Sequence, residues 1–213
     1  MLTWGDVDVA IQATTIDGIL QREDMIRSLS DELSRQGVVA VVLPDQIGRP
    51  KRSYAAAVES RYGEWGMVLE DDAWISPVFG VEVLRLLDGS DADVATFFSR
   101  KRRDLDDWRR FQPLIALHRR PPSHFAMTQC VAFRPRAVVG LVDYAESWAA
   151  SHPQERNAQD YMLRDWCVMN RLKMETCVPS LVQHRASKSL LGHHGVRDSD
   201  TYRLAFGDAP PCS

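Results

Sequence analysis

From residue 7 to about residue 87 the chain alternates short apolar runs with stretches of helical periodicity, and this alternation restricts the fold more than any other feature. Val7 to Ala13 reads as a strand, followed by the polar turn Thr14-Thr15-Ile16-Asp17-Gly18. Met25, Ile26, Leu29 and Leu33 then recur at helical spacing within residues 22 to 36, and Gly37 supplies the stop. Val38-Val39-Ala40-Val41-Val42-Leu43 is apolar throughout, which predicts a strand covered on both faces, and Pro44-Asp45 closes it. Pro50 opens a second helix with Ala55, Val58 and Tyr62 on one face, and Gly63 ends it before a strand at 66 to 70. A third helix from Pro77 would bury Val78, Val81, Leu84 and Leu87, and Asp93 to Phe98 reads as a further strand. Strands alternating with helices argue for βαβ units, hence one α/β domain with a mostly parallel sheet flanked by helices.

The strand at 66 to 70 ends abruptly in Glu70-Asp71-Asp72. Side chains alternate along a strand, so Glu70 and Asp72 share a face, roughly 6.5 Å apart along the chain, while Asp71 points the other way. Paired carboxylates at the C-terminal edge of a buried strand are hard oxygen ligands suited to Mg²⁺ or Mn²⁺, and in open α/β sheets that edge is where ligands bind. The plainer alternative is a solvated strand end that caps the helix near Pro77.

The second half continues in the same style. Met127 to Phe133 reads as a strand, and Pro135 begins a helix with Val138, Leu141, Ala145 and Trp148 at core spacing. Asn157 is placed to cap a helix through about Leu172 whose apolar face is Ala158, Tyr161, Met162, Trp166 and Met169. Asp160, three residues past that cap, suits a helix-start acid. Met174 to Val178 is the last expected strand, followed by Pro179-Ser180-Leu181-Val182-Gln183-His184, and the tail from Val196 is polar.

Val68-Leu69-Glu70-Asp71-Asp72-Ala73 resembles the aspartate-rich signature of GT-A-fold glycosyltransferases, in the LEDD form of bacterial and phage members, with Glu in place of the first Asp. Gln159-Asp160 ahead of a helix and the P-S-L-V-Q-H string are similar to two further family features, so the resemblance runs along nearly the whole chain. It implies a Rossmann-like GT-A domain in which residues 1–98 bind a nucleotide sugar and residues 99–195 supply the acceptor half and complete the metal site, with 196–213 as a tail. It further implies that Glu70, Asp72 and His184 hold Mn²⁺ or Mg²⁺, and that Asp160 is the catalytic residue, binding and deprotonating an acceptor hydroxyl in an inverting reaction. Ala13, Thr14, Thr15, Asp45, Lys51, Arg52, Asp71 and Lys188 would bind the nucleotide-diphosphate sugar. An imidazole beside carboxylates suits Mn²⁺ somewhat better than Mg²⁺. The expected activity is a metal-dependent hexosyl transfer to an acceptor hydroxyl.

Composition decides less. The net charge of -3 gives no global pull toward polyanions. Residues 99 to 124 are a local exception, with eight Lys/Arg against three Asp, interleaved with Trp108 and Phe111. Arg102, Arg103, Trp108, Arg109 and Arg110, with Gln159, are therefore candidate acceptor contacts, and a hydroxylated base in phage DNA is one acceptor they suit beside a saccharide, a lipid-linked sugar or a protein; the plainer alternative is a solvated loop whose arginines pair with its own acids. Two rival readings stand beside glycosyl transfer: a non-catalytic nucleic-acid-binding protein built on this segment, and a metal-dependent nucleotidyltransferase or phosphohydrolase. No G-x-G-x-x-G or G-x-x-x-x-G-K loop is present, which argues against kinases and dinucleotide dehydrogenases. Cys130, Cys167, Cys177 and Cys212 have no zinc-like spacing, and His193-His194 lacks a convincing third ligand. With no signal-peptide pattern at Met1-Leu2-Thr3-Trp4-Gly5-Asp6 and no apolar run of spanning length, the expectation is a cytoplasmic protein of a bacterial or phage-infected cell, with no membrane partner.

Overall fold

The computed structural model describes residues 1–16, 19–46, 50–59, 63–99, 102–111, 114–125, 128–155, 158–185 and 199–208, and within them all side chains but those of residues 46, 50, 51, 53, 102, 103 and 111. In chain order the elements are β1 (Val7–Ile16), β2 (Ile19–Leu20), α1 (Glu23–Arg35), β3 (Ala40–Gln46), α2 (Pro50–Glu59), β4 (Trp65–Glu70), β5 (Ala73–Ile75), α3 (Phe79–Asp88) and β6 (Val94–Thr96). There follow α4 (Arg102–Phe111), β7 (Ala116–Arg120), β8 (Cys130–Phe133), α5 (Leu141–Ser151), α6 (Gln159–Met169), β9 (Met174–Val178), β10 (Val182–His184) and α7 (Asp200–Phe206). The main sheet runs β2-β1-β4-β8-β6-β9-β7, with β3 also paired to β1. β1, β3, β4, β6 and β9 share one direction and β2, β7 and β8 oppose it, so the sheet is mostly parallel.

Alternation along the central strands divides the core in two. Trp65, Met67 and Leu69 of β4, with Cys130 and Ala132 of β8, pack with Leu29 and Leu33 of α1 and Phe79, Val83 and Leu87 of α3. Val68, Val131 and Phe133 point through the sheet to Tyr54 and Val58 of α2, Leu141 of α5, and Met162, Leu163 and Trp166 of α6. Helices thus cover both faces, which is why β4 is apolar up to its last residue.

Several expectations require correction. The wholly apolar run at 38 to 43 is not a doubly covered strand: β3 pairs only with β1 among the described strands, and Val39, Val41 and Val42 are 85%, 46% and 39% exposed. Pro44 and Asp45 lie inside β3 instead of ending it, which an edge strand allows because proline then forfeits no ladder bond on its outer side. The third helix starts at Phe79, and its buried stripe is Phe79, Gly80, Val83, Leu86 and Leu87, leaving Val78 and Val81 exposed. Likewise α6 buries Leu163 and Cys167 while Tyr161 and Met169 face outward. The basic segment is not a loop but α4 and β7, β9 is followed by β10, and the tail contains α7 with Thr201 and Tyr202 buried.

Local chemistry explains the turns that matter. α1 ends in a Schellman motif: Val38 N–H donates to Leu33 O and Gly37 N–H to Ser34 O, with Gly37 at φ +76°. Gly63 precedes β4 because a Cβ there would lie 2.6 Å from the Asp6 carbonyl oxygen. Cys130, Cys167 and Cys177 are buried free thiols, their ionisation suppressed by burial.

Candidate active site

Three parallel strands, β3, β1 and β4, lie side by side. Gln12 of β1 lies opposite Glu70 of β4, and Thr14 of β1 lies opposite Asp45 of β3. Asp71 and Asp72 then form the turn into β5. β5 pairs antiparallel with β10, His184 opposite Ala73, and Arg185 N–H donates to Asp72 O at 2.8 Å. This small ladder brings the histidine to the acids: His184 Nε2 lies 3.3 Å from Asp72 Oδ2. The string before it is fixed from behind, since Ser180 Oγ donates to Phe97 O at 2.9 Å and Gln183 Oε1 accepts from the Ser199 N–H at 2.7 Å.

A cation absent from the sequence-based site sits on the same acids. Arg22 Nη1 lies 2.7 Å from Asp71 Oδ1 and 2.5 Å from Asp72 Oδ2. Asp71 Oδ2 accepts the Thr14 N–H at 2.8 Å, and both aspartates are buried, at 2% and 5% exposure. Burial pushes the Asp71 carboxyl up in spite of Arg22. In Asp72 burial acts the same way, but the His184 hydrogen bond, with the charges of His184 and Arg22, outweighs it and holds the carboxyl below the usual range. Asp72 Oδ1 is buried and has no hydrogen-bond partner.

Glu70 belongs to a different network. Its Oε1 accepts from Thr128 Oγ1 and, at 3.1 Å, from Gln159 Nε2, and its Oε2 accepts from Gln129 Nε2 at 3.0 Å. Burial first, then the Asp72 charge, push its carboxyl up to about 7. Gln12 Nε2 extends the network by donating to Asp45, with Gln159 Oε1 at 3.4 Å, and Thr15 Oγ1 donates to Asp45 O. The first residue of α6 is thereby tied to the end of β4, and Asp160 follows it, half-buried in the first turn.

The remaining candidates are more dispersed. Ala13 is fully buried, so only its backbone is available to a ligand, while Thr14 acts through its N–H. Arg52 turns to Glu146 of α5 at 2.8 Å, away from the acids. Trp108, a candidate acceptor contact, is buried, and Arg109 is an exposed partner of Asp106 while Arg110 is exposed. Arg119 pairs with Asp91 and Glu175, and Arg120 with Asp104 and Asp107. Lys188, His193 and His194 lie outside the described residues, as do the side chains of Lys51, Arg102 and Arg103. Sequence reasoning passed over Arg22, Thr128, Gln129, Arg185 and Gln12, of which only Gln12, a lone amide in an apolar strand, carries a signal in the sequence.

Among the described residues no group of three or more His, Cys, Asp or Glu side chains is placed to share a metal ion. The donors that do fit one are two: Asp72, with an orphaned buried oxygen, and His184 beside it. Glu70, the third expected ligand, has side-chain donors on both its oxygens.

A mostly parallel α/β sheet with an acid-tipped inner strand and a histidine returned beside it defines the class of fold. No protein-family model matches the chain, and no curated protein sequence does. Solved structures do. The crystal structure of a glycosyltransferase involved in the glycosylation of the major capsid of PBCV-1 matches with TM-score 0.52 and 11% identity, over 85% of this chain and 94% of that one. TarS 1–349 of S. aureus, in complex with UDP-GlcNAc, matches with TM-score 0.51 and 11% identity, over 79% of this chain and 55% of that one. The chain therefore has a GT-A-like glycosyltransferase fold. No helix among the described residues is long and apolar enough to cross a membrane.

Proposed function

We propose that the protein is a metal-dependent glycosyltransferase that moves a sugar from a nucleotide-diphosphate donor to an acceptor hydroxyl. The observation that carries this reading is the meeting of Asp72 and His184, 112 positions apart in the sequence, at the end of an inner strand, with one Asp72 oxygen left without a partner. The TarS structure contains UDP-GlcNAc at a similar fold, which supports a nucleotide-sugar donor. Asp72 and His184 would hold Mn²⁺ or Mg²⁺, and the ion would supply Lewis-acid stabilisation of the departing nucleoside diphosphate.

The chain's own groups do the rest. Asp45, Thr14, Thr15 and the backbone at Ala13 form the rim where the nucleotide is received, with Lys51 and Lys188 as phosphate contacts. Gln12 and Gln159 fix Asp45 and Glu70, so the rim is preorganised before a donor arrives. Asp160 binds the acceptor hydroxyl, and in an inverting transfer its carboxylate takes the hydroxyl proton as the oxygen bonds to the sugar carbon and the sugar–phosphate bond breaks toward phosphate. In a retaining transfer Asp160 only binds. A hydroxylated base in DNA is the polyanionic form of the acceptor, and it requires a basic face from α4, where Arg109 and Arg110 are exposed cations among the described side chains.

The test is nucleoside-diphosphate release from a panel of nucleotide sugars, with Mn²⁺ and with EDTA. Release from one donor in Mn²⁺ only supports the reading. Pyrophosphate or phosphate release would favour the nucleotidyltransferase or phosphohydrolase, and salt-sensitive DNA binding indifferent to Asp72→Ala, with no donor turnover, the non-catalytic binder.

A further inference from the structure

The atom nearest to where a cation would bind on these acids is already a cation. Arg22 is the N-cap of α1, with positive φ (57°); its carbonyl accepts the Met25 and Ile26 N–H groups, while its side chain makes no cap hydrogen bond. Its guanidinium reaches inward, 14% exposed, and a single nitrogen bridges Asp71 Oδ1 and Asp72 Oδ2. Bridging two carboxylates with one positive centre is what a bound ion does.

We propose, on the metal-dependent reading above, that Arg22 is the site's resident counter-cation: it competes with the divalent ion for Asp72, and a donor diphosphate relieves the competition by giving Arg22 another anion. Charge supports this. With His184 neutral, as a metal ligand must be, Asp71, Asp72 and Arg22 together carry one negative charge, so a divalent ion added with Arg22 in place would set like charges together where water screens them poorly. A diphosphate restores the balance, and a guanidinium can bind phosphate oxygens in the same forked manner as carboxylates. Ion and donor then bind cooperatively, each strengthening the other by the same factor. An ion arriving without a donor finds a guarded site.

The experiment measures Mn²⁺ binding, by electron paramagnetic resonance of free Mn²⁺, to the whole chain without nucleotide. Arg22→Gly and Arg22→Asn are the variants, because both residues accept a left-handed backbone more readily than arginine. The expected result is Mn²⁺ binding tightened by at least about fivefold in both, with Mn²⁺ raising their melting temperatures more than that of the wild type. Arg22→Lys keeps the charge and should retain the wild-type affinity. Measurable Mn²⁺ binding that is unchanged or weakened in Arg22→Gly and Arg22→Asn, or tightened as much in Arg22→Lys, would overturn the competition while leaving the metal site standing. Absence of Mn²⁺ binding in every protein would overturn the metal site and the competition with it.

Discussion

Arg22, part-buried, and Arg120, buried, each face two aspartates, yet the two triads differ in what they leave unfinished. Arg120, on the outer strand β7, donates to Asp104 and Asp107 of α4. Asp107 is partly open to solvent, which carries the surplus negative charge, and neither aspartate has a buried oxygen without a partner. Arg22, at the inner strand β4, faces Asp71 and Asp72 in near-complete burial with Glu70 behind them, and Asp72 Oδ1 is unmatched. Buried charge whose partners are all in place ties α4 to the sheet. Buried charge short of one partner is costly unless something else completes it, and such a deficit marks a site.

Breaking each triad should separate stability from chemistry. Arg120→Met strands Asp104 in the interior, so unfolding stability should fall by about 3–5 kcal/mol in a urea titration, while donor turnover per folded molecule is unchanged. Asp72→Asn should do the reverse: donor turnover falls about a hundredfold or more, while the melting temperature moves far less than in Arg120→Met, because Arg22 keeps Asp71. A large stability loss in Asp72→Asn with turnover intact would make the two triads equivalent and remove the distinction. The smallest effect concerns His118, whose imidazole is held below its usual pKa by burial and then by the Arg120 charge. The folded protein resists this proton, so the stability it contributes is present above about pH 6.5 and is lost as the pH falls below that value. His118→Gln should flatten the stability profile on that acid side, and an unaltered profile would show that neither burial nor the Arg120 charge lowers the ring's affinity for the proton.

The same contrast shows how far the sequence could be read. Strand β4 and its acids stand out because apolar residues stop at charges, and β9 was legible in full as Met174 to Val178. The apolar run in β3 was equally visible, but nothing in it distinguishes an edge from a centre, since that depends on which strand pairs with β1 on its other side. In α3 apolar residues occur on more than one face, so periodicity alone chose Val78 and Val81 where packing chose Phe79 and Val83. β5 and β10 are three residues each and exist only as partners, so neither half announces the pairing that carries His184 to Asp72. Arg22 precedes an acidic helix start and looks like any surface arginine; its contacts arise from the packing of α1 against β5. The island at 99 to 124 shows the opposite, because charges that pair in space, as Arg119 and Arg120 do, look like a surplus when counted along a chain.

The central claim is that Asp72 and His184 jointly hold a divalent cation at the end of β4. Anomalous diffraction from crystals grown with Mn²⁺ and a nucleoside diphosphate tests it most directly. The account predicts one Mn²⁺ peak in contact with Asp72 Oδ1 and the His184 imidazole, with the Arg22 guanidinium moved off Asp72. A peak elsewhere, or an intact Arg22–Asp72 pair with nucleotide bound and no ion beside it, would contradict it.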